Sequence, residues 1–232
     1  MDTYIITIIE ILGTFSFSVS GVIAGMKRNL DIFGTVFLGI ITAVGGGVIR
    51  DIIINQDIPA VFRNPTYAII ATVVALVFLV PPIRKAITRQ TRIYELTLLI
   101  MDSLGLGIFT VVGIRSSMLA VPDGGILLHI FLGVITGVGG GVLRDVLSKS
   151  LPYIFTKHIY AIASIAGAVV CCVLWDIIGM LPSMLCGSFV IFVLRCLAAY
   201  FHWNLPRITD NDDIANSKKK ESVYEPFIST KK

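Results

Sequence analysis

Residues 38–54, LGIITAVGGGVIRDIII, return at 132–148 as LGVITGVGGGVLRDVLS, with eleven of seventeen positions identical at a constant offset of 94. Each copy lies in an apolar stretch long enough to cross a bilayer, interrupts it with three glycines, and follows them with Arg-Asp. A duplicated, glycine-interrupted, charge-bearing span is the sequence pointer to a membrane pathway built from two related halves.

The repeat reaches beyond this core. Upstream, an offset of 92 aligns Glu10 with Asp102, Gly13 with Gly105, Phe17 with Phe109 and Gly21 with Gly113. Downstream, an offset of 93 aligns Pro59 with Pro152, Phe62 with Phe155, Tyr67 with Tyr160 and Ala68 with Ala161. With 55% hydrophobic and 15% charged residues and a mean hydropathy of +0.87, the chain lacks the polar face a soluble domain needs. At about 20 residues per crossing, the 232 residues accommodate seven spans and one short tail. The spans fall at roughly 4–25, 32–54, 66–83, 93–114, 125–147, 159–178 and 183–201. The expected fold class is an all-α membrane protein with seven transmembrane helices. Repeat one covers about 4–83, repeat two about 93–178, and an extra span about 183–201. Together residues 1–205 form the membrane domain, and the polar segment 206–232 reads as a disordered cytoplasmic tail. The first stretch is expected as a retained span, because it has no basic leader, Glu10 interrupts it, and no small-residue cleavage site is evident.

Three spans per unit force the second unit to enter from the opposite face, so the halves are inverted about an axis in the membrane plane. The basic residues agree. One face collects Lys27, Arg28, Arg84, Lys85, Arg89, Arg92, Arg144, Lys149, Lys157 and six more from the tail; the other has Arg50, Arg63 and Arg115. The positive-inside rule then places the N-terminus outside and the C-terminus in the cytoplasm. Arg195, in the seventh span, is expected to snorkel to the cytoplasmic interface.

Each glycine gives up about 1 kcal/mol of helix propensity relative to Ala. Close packing through small residues is one use for them. A triplet at matched positions of both halves, Gly45, Gly46 and Gly47 with Gly139, Gly140 and Gly141, favours a bend or break lining a polar path. Arg50-Asp51 and Arg144-Asp145 follow at once. A charge at mid-membrane costs a few kcal/mol, so these pairs reach an interface or face an internal aqueous route. Adjacent helical residues point about 100° apart, so Arg and Asp of one pair need not bond each other. Glu10 and Asp102 are second-tier candidates that attract cations or pair with Arg50 or Arg144. The hydroxyls of Ser16, Ser18, Ser20, Thr42 and Thr136 are expected to bond their own backbone.

Nothing points to an enzyme or to nucleic acid. There is no phosphate-binding glycine loop, no metal spacing among His129, His158 and His202, no Ser/His/Asp set and no potassium-filter sequence. Cys171, Cys172, Cys186 and Cys196 sit in apolar stretches and read as packed side chains.

At GGGVIRD (45–51) and GGGVLRD (139–145), set in two inverted three-span units plus one span, the chain resembles the prokaryotic trimeric intracellular cation channels. Close relatives of those channels carry the overlapping label of uncharacterised membrane proteins or glycine transporters. The resemblance covers residues 4 to about 203. It implies a homotrimer with a pore in each protomer, spans two and five kinked at their triplets, and Arg50 and Arg144 contributing to the pore or to lipid binding. It also implies a multi-pass location in the bacterial plasma membrane, the cell inner membrane. The first reading is therefore a passive monovalent cation channel permeable to potassium. The alternative is a transporter of a small zwitterion such as glycine, and a non-conducting scaffold is disfavoured because it leaves the duplicated charges without a use. No cofactor is expected beyond a bound lipid and permeant potassium or sodium.

Overall fold

The computed structural model describes residues 2–156, 159–201 and 203; the tail expected over 206–232 lies outside the described residues. Ten helices account for nearly all of them. Helix α1 covers Asp2–Lys27, α2 Ile32–Ile53, α3 Ala60–Arg63, α4 Thr66–Leu79 and α5 Pro81–Thr88. Then follow α6 Thr91–Ala120, α7 Gly125–Leu147, α8 Tyr153–Thr156, α9 Tyr160–Ile178 and α10 Met180–Tyr200. Helices are what an apolar chain must form in hydrocarbon, since each backbone group finds its partner within the segment.

Six of these helices are long and apolar enough to cross a membrane, and α4 with α5 makes a seventh, bent by 78°. The bend corrects the expected third span over 66–83. Val80 precedes proline and is extended (φ −58°, ψ 131°), and Pro81 and Pro82 open a new helix instead of continuing the old one. The 14 residues of α4 rise only about 21 Å, against about 30 Å of hydrocarbon. The fourth span overruns its expected end at 114 and reaches Ala120, which takes Arg115 out of a loop and into a helix. Pro182, expected in a connection, lies in the first turn of α10, where no intrahelical donor is lost.

Helices α1, α2, α6 and α7 form the centre. Helix α4 covers α1 and α2, α9 covers α6 and α7, and α10 packs outside α6 and α9. The outward faces carry large apolar side chains, among them Ile8, Phe37, Val73, Val173 and Phe189, as a lipid solvent requires. Matched glycines let the central helices approach. A Cβ on Gly21 would press on Thr42 and Gly39, and one on its counterpart Gly113 on Thr136 and Gly133. The buried side chains Phe17, Ala43, Leu106, Val138 and Tyr160 form the core between the halves.

Candidate functional site

The two triplets meet at the centre of the molecule. A Cβ on Gly46 would land on the Thr136 carbonyl oxygen, and one on Gly140 on the Thr42 carbonyl oxygen. Gly45 lies in the same way against Leu143, and Gly139 against Ile49. Later residues of one helix thus meet earlier residues of the other, so α2 and α7 cross antiparallel and exchange equivalent contacts about a pseudo-twofold axis. Both helices run uninterrupted through their triplets. Of the expected bend or break, a break is therefore absent at both triplets: the missing side chains admit a facing backbone, and the helices continue. Thr42 and Thr136 donate to their own backbone at Leu38 and Leu132, as expected, which leaves the hydroxyl oxygens as acceptors only. Ser16 does the same, while Ser18 reaches Ala71 on α4.

Beyond the triplets the halves repeat a second device. Arg50 Nε and Nη2 donate to Asp51 Oδ1 at 2.9 and 2.7 Å, and Arg144 Nε donates to Asp145 Oδ1 at 2.8 Å. The helix angles left open whether neighbours would bond; they do, because the long arginine side chain folds back onto its neighbour. The second carboxylate oxygens cap the short helices that follow. Asp51 Oδ2 accepts from Ala60 N–H at 2.8 Å, and Asp145 Oδ2 from Tyr153 N–H at 2.9 Å. The chain turns on Asn55 and Lys149 (φ 57° and 53°), again 94 residues apart.

The acids at matched positions separate the halves. Asp102 is fully buried, and Arg144 Nη1 lies 2.5 Å from its Oδ1 while also donating to Ser20 Oγ. Arg195 on α10 places Nη2 3.6 Å from Asp102 Oδ2. Both guanidinium groups stack on rings, Arg144 over Tyr153 at 4.9 Å and Arg195 over Tyr160 at 4.7 Å. Burial pushes the Tyr153 phenol up to about 12, partly offset by Arg144, so the ring under that cation stays neutral. Arg195 does not snorkel. At 3% exposure it is held inside the protein, because a counter-charge within reach outweighs the distance to the interface.

In repeat one, Glu10 bonds instead to the Tyr67 hydroxyl and lies 3.9 Å from Arg115 of α6. No ion pair links it to Arg50 among the described residues. Glu10, Arg50 and Asp51 line a cavity of about 300 Å³ with Asn64 and Tyr67, reaching inward to Gly47 and Thr136. So the Arg50 end is an open polar vestibule leading to the α2–α7 crossing, and the Arg144 end is closed by a neutral cluster of two arginines and two aspartates. Buried atoms in that cluster, Arg144 Nη2, Arg195 Nε, Asp102 Oδ2 and Tyr160 OH, have no hydrogen-bond partner among the described residues. Sequence reasoning missed Arg115, Arg195, Tyr67, Tyr160 and Ser20 as members of these clusters. The tyrosines were visible as a matched pair at offset 93, and Arg195 as a charge within an apolar span. Of the cysteines, Cys171 and Cys172 pack inside and Cys186 is exposed.

An antiparallel pair of glycine-crossed helices within two inverted units defines a multi-pass helical membrane protein of duplicated design. Residues 7–81 and 99–176 match the family model described as glycine transporter. The chain belongs to that family, whose curated relatives here are named UPF0126 membrane proteins. It is 33% identical over 200 residues to the UPF0126 inner membrane protein YadS of Escherichia coli K12, covering 85% of this chain and 93% of that one. It is 31% identical to the UPF0126 membrane protein YvgT of Bacillus subtilis over 86% of this chain and 94% of that one. Among solved structures, a prokaryotic TRIC channel in 0.5 M KCl superposes with a TM-score of 0.79 at 28% identity, over 88% of this chain and all of that chain. The TRIC trimeric intracellular cation channel orthologue from Rhodobacter sphaeroides gives 0.77 at 28%, over 86% of this chain and 99% of that chain.

Proposed function

We propose that this protein is a cation channel of the inner membrane, permeable to potassium and other monovalent cations, with one pathway inside each protomer of a homotrimer. The observation that carries the reading is the vestibule of Glu10, Arg50 and Asp51, which leads to the crossing of α2 and α7. Its carboxylates Glu10 and Asp51 supply oxygen atoms for a cation at the mouth, each balanced by a neighbouring arginine, Arg115 and Arg50. Two of the similar solved structures are themselves described as cation channels, which supports the same reading. In it the N-terminus and the vestibule face outward and the Arg144 end faces the cytoplasm, following the basic-loop bias. The triplets Gly45–Gly47 and Gly139–Gly141 form the pivot on which α2 and α7 shift. Arg144 opens the inner half by leaving Asp102, and Arg50 screens the outer half. Three protomers each keep their own path, so a mixed trimer with one dead subunit retains about two thirds of the current if the pathways are independent.

One observation favours a second reading. An open end opposite a closed end is also what alternating access requires. The vestibule offers Glu10 for an ammonium and Arg50 for a carboxylate, as a zwitterion such as glycine needs. Purified protein in planar bilayers under a potassium gradient, beside radiolabelled glycine uptake in liposomes, separates the two. Unitary currents without uptake support the channel; saturable uptake without conductance overturns it.

A further inference from the structure

The cluster at the Arg144 end has more polar atoms than protein partners for them. Asp102, Arg144, Tyr160 and Arg195 are between 0 and 3% exposed, so bulk solvent does not reach them. Yet Asp102 Oδ2, Arg144 Nη2, Arg195 Nε and the Tyr160 hydroxyl each lack a hydrogen-bond partner. Arg195 Nη2, 3.6 Å from Asp102 Oδ2, attracts that oxygen without bonding it. Folded proteins meet buried groups of this kind with ordered water, which typically makes about three hydrogen bonds.

Repeat one shows how the gap arises. There Glu10 accepts directly from the Tyr67 hydroxyl. Asp102 and Tyr160 are the counterparts of that pair, but aspartate is one methylene shorter, and its Oδ2 and the phenol stay unpartnered. Gly141 adds bare backbone beside them. A Cβ there would lie 2.7 Å from the Tyr160 hydroxyl and 3.7 Å from Arg144 Nη2, so phenol and guanidinium share a flank of α7 that carries no side chain.

The chemistry of these atoms selects the ligand. Arg144 Nη2 and Arg195 Nε only donate, an ionised Asp102 Oδ2 only accepts, and the phenol does either. The charges of Arg144, Arg195, Asp102 and Asp145 cancel, so the place favours neither a cation nor an anion. Its occupant is small, neutral, and both donor and acceptor. We propose that a buried water sits here, donating to Asp102 Oδ2, bonded to the Tyr160 hydroxyl, and accepting an arginine N–H. It does for Asp102 what the extra methylene does for Glu10. The site stands equally in a channel and in a transporter.

The test is hydroxyl-radical footprinting of the full-length protein in liposomes, with radicals made from water by an X-ray pulse and oxidation read by mass spectrometry. A buried ring reacts only where water touches it. In the parent, Tyr160 should be oxidised well above Phe17, a ring as deeply buried but without a polar atom. Asp102→Glu should carry the carboxylate to the phenol, expel the water, and bring Tyr160 down to the level of Phe17. Gly141→Ala, which sets a methyl group on the shared flank, should lower it likewise. Oxidation of Tyr160 no greater than that of Phe17 in the parent overturns the water. So does undiminished oxidation in Asp102→Glu, or in Gly141→Ala should the first variant not fold, because the ring would then be meeting bulk solvent.

Discussion

Arg144 Nη1 lies 2.5 Å from Asp102 Oδ1 with both groups buried, whereas their counterparts Arg50 and Glu10 share a cavity and do not bond. The same duplicated residues thus give one closed end and one open end. Removing one partner of a buried pair leaves the other uncompensated, which costs about 3 kcal/mol or more. Asp102→Asn should therefore destabilise the protein by about that amount. Glu10→Gln should cost about 1 kcal/mol or less, since Glu10 is 19% exposed and Arg115 is 3.9 Å away. Thermal unfolding of the purified variants checks the ranking, and equal losses would remove the asymmetry between the ends.

The glycines of one triplet should part company under substitution. Ala at Gly46 puts a methyl group on the Thr136 carbonyl, a backbone atom that cannot swing aside. Gly46→Ala should force α2 from α7 and lower stability by about 2 kcal/mol. A Cβ at Gly47 meets only Arg50 Nη2, at 3.8 Å. Gly47→Ala should fit and raise stability by up to about 1 kcal/mol through helix propensity. If α2 must flex for permeation, Gly47→Ala should also reduce current, which separates flexing from close packing in bilayer recordings.

Much of this arrangement was legible in the chain because the pseudo-twofold axis passes through the α2–α7 crossing. Residues that meet their own counterparts there are held to matching types, so LGIITAVGGGVIRD and LGVITGVGGGVLRD keep a constant spacing. Away from the axis the signal fades. Helix α10 has no counterpart in the repeat, so nothing in the pattern links Arg195 to Asp102, 93 residues earlier. The bond from Arg50 to Asp51 was left open by reasoning from Cα directions alone, since a guanidinium on three methylenes covers the 100° between neighbours. The break after Leu79 was blurred because Ile83 and Ile87 keep the run apolar on one face of α5 while Arg84 and Lys85 mark the other.

The proposed orientation rests on the basic bias of 15 residues against three. An alkaline phosphatase fused after Lys232 should be inactive, and a cytoplasmic fluorescent reporter at the same place active. Phosphatase activity there would turn the vestibule toward the cytoplasm and reverse the assignment of the two mouths.

Each acid draws a cation from a helix outside its own three-span unit. Arg115 of α6 approaches Glu10 of α1, and Arg195 of α10 approaches Asp102 of α6. On this pattern the seventh span does for repeat two what the first helix of repeat two does for repeat one. A double-mutant cycle with Asp102→Asn and Arg195→Gln should therefore give a coupling of about 2 kcal/mol, as for groups in one buried network. The cycle with Glu10→Gln and Arg115→Gln should give less than about 1 kcal/mol, because solvent reaches both groups. Arg195→Lys should recover only part of the loss, since an ammonium keeps the charge and gives up the planar stacking on Tyr160. Thermal unfolding of the four proteins of each cycle supplies the numbers. A coupling near zero between Asp102 and Arg195 would leave α10 as a packing helix with no electrostatic part in closing the Arg144 end.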